Sequence, residues 1–138
     1  MYLLDTNVIS ELRSGKQKQS QAVRAWAEQL PANRLYLSSI SVLELEIGVR
    51  RIERKDALQG DVLRAWADKV MQQFKGQVLP FTGGTALHCA GMHVPDQRSF
   101  RDSMIAATAL EHSLILVTRN AADFEGLRIV MVNPWDHM

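Results

Sequence analysis

The sequence predicts an α/β domain: a parallel sheet of about five strands with helices on both faces. Three observations carry that expectation. Short apolar segments of three or four residues alternate with longer ones whose apolar positions recur at helical spacing, the pattern of βαβ units. Leu114-Ile115-Leu116-Val117 is continuously apolar, as strands buried on both faces are. No linker or low-complexity tract divides the 138 residues, so a single domain over 1–138, long enough to bury a real core, is expected.

Taken in order, Tyr2 to Leu4 is a very short strand that runs straight into Asp5, Thr6 and Asn7. A short helix from Val8 to Leu12 follows, closed by Ser14-Gly15 and a polar Lys-Gln tract. Ser20 caps a helix that places Val23, Trp26, Ala27 and Leu30 on one face and ends at Pro31. Leu35-Tyr36-Leu37 is the second strand, and Ser38 to Ser41 leads into a helix over about Val42 to Arg54. Asp56 caps a longer helix carrying Leu58, Val62, Trp66, Val70 and Phe74 and stopped at Gly76. Val78 to Phe81 is a third strand, placed at the sheet edge by Pro80. Gly83-Gly84 turns into a helix with Ala86, Leu87 and Ala90. Val94 to Ser99 is a polar loop, Asp102 to Glu111 a helix, Leu114 to Val117 the fourth strand and Ile129 to Val132 the fifth. The echo of Arg24-Ala25-Trp26-Ala27 in Arg64-Ala65-Trp66-Ala67 is too short for a repeat architecture and marks two helix faces that bury a tryptophan.

Composition narrows the class. A single cysteine, Cys89, rules out a disulfide within the chain and favours a cytoplasmic home. The N-terminus has no basic flank followed by a long apolar stretch, so no signal peptide is expected. No apolar run approaches the roughly 20 residues that span a bilayer, so no membrane partner is expected. A net charge of +1 neither demands nor excludes nucleic acid, because a local basic face fits within it.

The chemistry is carried by acids. Asp5 directly follows the first strand, where an open α/β sheet presents functional groups, although Asp is also a good helix cap. Glu44 completes Ser41-x-x-Glu44, a capping-box pattern, and equally offers a carboxylate near a helix start. Asp102 opens an alanine-rich helix able to approach the sheet closely; compensation of the helix dipole is its plainer role. Asp123 follows the best strand, with Thr118 and Asn120 between, and also suits a turn or cap. In a parallel sheet these positions share one edge. Carboxylates gathered there repel unless a cation neutralises them, and an all-oxygen cage selects Mg²⁺ or Mn²⁺ over zinc. Metal-dependent phosphodiester hydrolysis is the chemistry that fits best.

The residues that carry a resemblance are Leu3 to Leu12, Tyr36 to Leu45 with Gly48, Asp102 to Leu110, Val117 to Asn120 with Asp123-Phe124, and Asn133-Pro134-Trp135. In order and spacing they resemble the PIN-domain family, and within it the VapC-like toxins, FitB-type members included. The resemblance implies a three-layer PIN-like fold and a Mg²⁺- or Mn²⁺-dependent endoribonuclease. It further implies a homodimer, held inactive by a small VapB-like antitoxin that blocks the acidic site. Promoter DNA is then reached only through the antitoxin. By the same resemblance Asp5, Glu44 and Asp102 are the metal-site acids and Asp123 the variable fourth. Thr6, Asn7, Thr118 and Asn120 match the supporting polar positions, and some relatives carry the acid where Asn120 stands. The Val94–Arg101 segment departs from the family's usual lead into Asp102, which bears on loop shape and substrate choice.

Other readings are weaker. His88, Cys89 and His93 have poor spacing for zinc on one helix face. Arg50 to Lys55 suits a solvated helix end, whereas Arg13, Lys16 and Lys18 lie nearer the first acid and suit a phosphate backbone. Glu46 is expected to face solvent. A receiver domain would want an Asp after the third strand, where Phe81-Thr82 stands, and a phosphoaspartate hydrolase would want a second Asp at Asn7. The non-enzymatic alternative is a PIN fold that only binds RNA or protein.

Overall fold

In a computed structural model that describes residues 1–137, five strands form one parallel sheet. In chain order they are β1 (Tyr2–Leu4), β2 (Leu35–Ser38), β3 (Val78–Leu79), β4 (Ile115–Val117) and β5 (Met131–Val132). The helices are α1 (Thr6–Glu11), α2 (Gln21–Glu28), α3 (Ser39–Lys55), α4 (Ala57–Gln73), α5 (Gly83–Gly91) and α6 (Phe100–Glu111). The spatial order is β3-β2-β1-β4-β5, so the first strand lies at the centre and β3 at an edge as expected, although it stops at Leu79, before Pro80, rather than running on to Phe81. Leu3 aligns with Tyr36 on one side and Leu116 on the other.

Period-two alternation divides these strands between two cores. Leu3 and Leu116 face a cluster with Ile105, Ala106, Ala107, Ala109 and Phe124, beneath α5 and α6. Leu4, Leu37 and Val117 face a second cluster with Val8, Val23, Trp26, Leu45 and Val70, beneath α1 to α4. The alanines of α6 are fully buried, which lets that helix lie close on the sheet and carries its N-terminus to the carboxyl edge.

Element boundaries shift where caps compete. α3 starts at Ser39 rather than near Val42, because the Ser38 hydroxyl accepts from the Ser41 amide at 3.1 Å. The box expected between Ser41 and Glu44 therefore does not form, and Glu44 stands in the second turn. α6 starts at Phe100, two residues before Asp102, because the Ser99 hydroxyl accepts from the Asp102 amide. Ser20 and Asp56 cap α2 and α4 as the sequence predicts. α5 turns Thr85 and Cys89 inward and leaves Leu87 exposed. Of the two echoed tryptophans, Trp26 is buried edge-on against Tyr2, whereas Trp66 is only half-buried.

The α3–α4 hairpin is held by polar and steric fit together. Glu46 does not face free solvent as expected: Arg64 donates to it at 2.7 Å and to Glu53 at 2.9 Å. Hydrogen bonds from Arg64 first, then Arg50, hold the Glu46 carboxyl at about 2, well below the ordinary carboxylate range. Gly60 is the contact point, since a Cβ there would lie 2.6 Å from the Glu53 Cα. Gly60→Ala is therefore expected to destabilise the fold by about 1–3 kcal/mol, despite alanine's better helix propensity. A lowered midpoint of urea unfolding at unchanged slope would register it; an unchanged or raised midpoint contradicts the close approach.

Candidate active site

The carboxyl ends of β1, β2 and β4 open onto a shared rim, and three carboxylates from separate elements meet there. Asp5 ends β1 and is fully buried. It serves both roles left open by its sequence position. Its backbone is extended and its Oδ1 accepts from the Thr6 amide at 2.7 Å, so it caps α1. Its Oδ2 accepts from the Thr118 hydroxyl at 2.7 Å and more loosely from Asn7 at 3.4 Å. Thr118 is itself placed at the end of β4 and accepts from the Asn120 amide at 3.1 Å. This network fixes both Asp5 oxygens before any ligand is considered.

Glu44 reaches the same rim from α3. Its Oε1 accepts from the Thr6 hydroxyl at 2.6 Å, and the Thr6 oxygen also lies 3.1 Å from the buried Ser41 hydroxyl. A Glu placed one turn into the helix, rather than in its first turn, is what allows this reach. Asp102 arrives from the first turn of α6, where the helix dipole favours its charge.

One guanidinium joins the three acids. Arg101 donates from Nε to Glu44, from Nη1 to Asp102 and from Nη2 to Asp5, each at 2.6 Å. Burial works against the charged guanidinium, but Glu44, Asp5 and Asp102 outweigh it and hold its pKa above the usual value for arginine. Sequence reasoning missed Arg101 as a site residue and placed it in the loop before Asp102. The available signal was Ser99, whose position three residues before Asp102 marks it as a cap and Arg101 as helical. Ser38 was likewise read only as part of the lead into a helix, and Ser41 as the cap of Glu44's box rather than as a neighbour of Thr6.

The remaining candidates are more peripheral. Asn7 accepts from the Arg119 amide at 3.5 Å and tethers the loop after β4. Asn120 is exposed and contributes its backbone amide. Asp123 is exposed on the 3-10 turn Ala121–Phe124, and its backbone amide donates to the Asn120 carbonyl at 3.0 Å. Arg13 and Lys16 flank a groove of about 280 Å³ whose wall includes Thr6, Ser10 and Glu44. That places two cations beside the acids, although Lys16 also pairs with Glu11 at 3.2 Å. Cys89 and His93 both bond to Ser103, in the seam between α5 and α6.

The donor set suits a hard divalent cation in chemistry and charge. All three side chains offer carboxylate oxygens, and one guanidinium charge is set against three negative ones. Among the described residues no three acidic, His or Cys side chains converge tightly enough to hold an ion as they stand, and the three acids are instead bridged by Arg101.

The PIN domain family model matches residues 2–128. The VapC ribonuclease Y4jK of Sinorhizobium fredii is 36% identical over 148 residues, covering 99% of each chain. Toxin FitB of Neisseria gonorrhoeae is 34% identical over 144 residues, covering 98% of this chain and 99% of that protein. Among solved structures, FitAcB from Neisseria gonorrhoeae superposes with a TM-score of 0.90 at 33% identity, over 99% of each chain. A FitAB complex bound to an IR36 DNA fragment gives 0.84 at 32% identity, over 100% of this chain and 97% of that one. With a family-model match over residues 2–128, and relatives above 30% identity aligned over nearly the whole of both chains, this chain belongs to the PIN-domain family, beside its VapC and FitB members.

Proposed function

We propose that this chain is a divalent-metal-dependent endoribonuclease and the toxin of a VapBC-like toxin–antitoxin pair. The observation that carries the reading is the meeting of Asp5, Glu44 and Asp102 on a single cation at the carboxyl edge of the sheet. Relatives of matching length that are named as a ribonuclease and a toxin support it.

In this reading Asp5 and Asp102 would hold a Mg²⁺ or Mn²⁺ ion. Such an ion, when bound, supplies Lewis acidity at a phosphodiester and lowers the pKa of a bound water. Thr118 and the Thr6 amide keep the Asp5 oxygens from rotating. Glu44, oriented by the Thr6 hydroxyl, positions the attacking water. Water gives up a proton as it forms the new P–O bond, the bond to the leaving oxygen breaks, and that oxygen takes up a proton from solvent, so that the exchange balances. Arg13 and Lys16 line the approach for the RNA backbone, and Asp123 with Asn120 extends the polar rim outward. A small VapB-like antitoxin covering the rim would block all of these groups together, and promoter DNA would be reached through it. A homodimer and a cytoplasmic setting complete the reading. Exposed Leu58 and Val62 on α4 and Leu43 on α3 offer apolar surface for partners, and no helix among the described residues is long and apolar enough to cross a membrane.

The test is Mn²⁺ binding followed by titration calorimetry. Asp102→Ala is expected to weaken binding by more than about 10-fold, beyond the usual loss from an outer-shell partner's lower range. Undiminished binding by that variant would remove Asp102 from the metal site.

A further inference from the structure

The proposed chemistry needs the three carboxylates turned toward an ion, yet each already gives an oxygen to Arg101. We propose that Arg101 is a tethered competitor for the divalent ion. Its guanidinium holds the acids in register, must turn outward before a metal enters, and thereby sets this chain's metal affinity. The inference rests on the metal reading of the site given above.

Geometry supports competition rather than simple pairing. The three guanidinium nitrogens each address a different carboxylate at 2.6 Å, so the cation stands among Asp5, Glu44 and Asp102 rather than beside one of them. An ion ligated by those oxygens and a guanidinium bonded to them are mutually exclusive at close range, because like charges repel and share acceptors. As they stand, the three acids are bridged by the guanidinium and do not converge on an ion-sized site. An exit exists as well. The Arg101 side chain is 33% exposed, whereas that of Asp5 is fully buried, so the guanidinium can swing to solvent without unpacking the core. Departure with nothing in its place would strand the buried Asp5 charge, which is strongly unfavourable. Arrival of a divalent ion removes that penalty, so the exchange of one cation for another is the low-energy route.

Mn²⁺ binding measured by calorimetry on the wild type, Arg101→Met and Arg101→Lys tests this directly, without reference to cleavage. Arg101→Met is expected to bind Mn²⁺ at least about 10-fold more tightly than the wild type, since the ion no longer displaces a cation. Arg101→Lys should tighten binding less, because an ammonium keeps the charge but not the planar fork. The same proteins melted in chelator and in Mn²⁺ give a second readout. Arg101→Met should lose stability in chelator and recover more degrees on adding Mn²⁺ than the wild type does. Should Arg101→Met not fold in chelator, Arg101→Lys carries the comparison. Equal or weaker Mn²⁺ binding in both variants would make Arg101 a permanent structural clamp and overturn the proposal while leaving the metal site standing. Absence of Mn²⁺ binding in all three proteins would overturn the metal reading and this inference with it.

Discussion

Asp5→Asn is expected to lower Mn²⁺-dependent RNA cleavage by more than about 100-fold, above the range typical of outer-shell partners, while leaving the chain folded. The change removes one unit of charge and almost no volume. Asparagine retains a carbonyl oxygen for the Thr6 amide, and its amide can donate to the Thr118 hydroxyl, which also has acceptor capacity. Arg101 keeps Glu44 and Asp102 as anionic partners. The structural penalty is accordingly that of a rearranged buried hydrogen bond, on the order of 1–3 kcal/mol. The chemical penalty is far larger, because a neutral amide neither holds a hard cation well nor helps balance its charge. Cleavage of a structured RNA with Mn²⁺, alongside near-ultraviolet circular dichroism, separates the two. Equal cleavage by the variant and the wild type would defeat the assignment of the site.

The second large effect concerns stability. Phe124 is only 1% exposed and is the largest of the fully buried side chains. It plugs the core beneath α6 from the 3-10 turn that follows β4. Phe124→Ala is expected to destabilise the fold by about 3–5 kcal/mol, the transfer and cavity terms together. For a domain of this size that corresponds to a fall in Tm of roughly 10–20 °C. The same residue holds the turn that carries Asn120 and Asp123, so the rim should loosen along with the core. Denaturant melts of the variant settle the matter, and a loss below 1 kcal/mol would show that the turn repacks without its anchor.

The scaffold was legible because its signals are local. Apolar runs at period two or 3.6, with Ser20, Asp56 and Gly76 at helix ends, mark the elements before any tertiary contact is known. The three acids were legible through their position after a strand or at a helix start, and through resemblance. Glu44 shows where local pattern misleads. Ser41-x-x-Glu44 satisfies the capping-box spacing, but β2 ends at Ser38, whose extended backbone makes it the cap and pushes Ser41 into the helix. Arg101 shows a deeper limit. Its role depends on Asp5, 96 residues away, and Glu44, 57 away, and no local pattern encodes contacts of that span.

The position of β1 has a bearing on how the chain is made. The earliest strand is the central one, and Thr118, 113 residues later, supplies the hydroxyl that fixes Asp5. Long-range pairing of this kind forms late, once loop closure over most of the sequence has been overcome. A nascent or truncated polypeptide lacking β4 has no complete rim to offer RNA. On the proposed reading of the site, cleavage is therefore expected only once the last quarter of the protein has been made and β4 is in place.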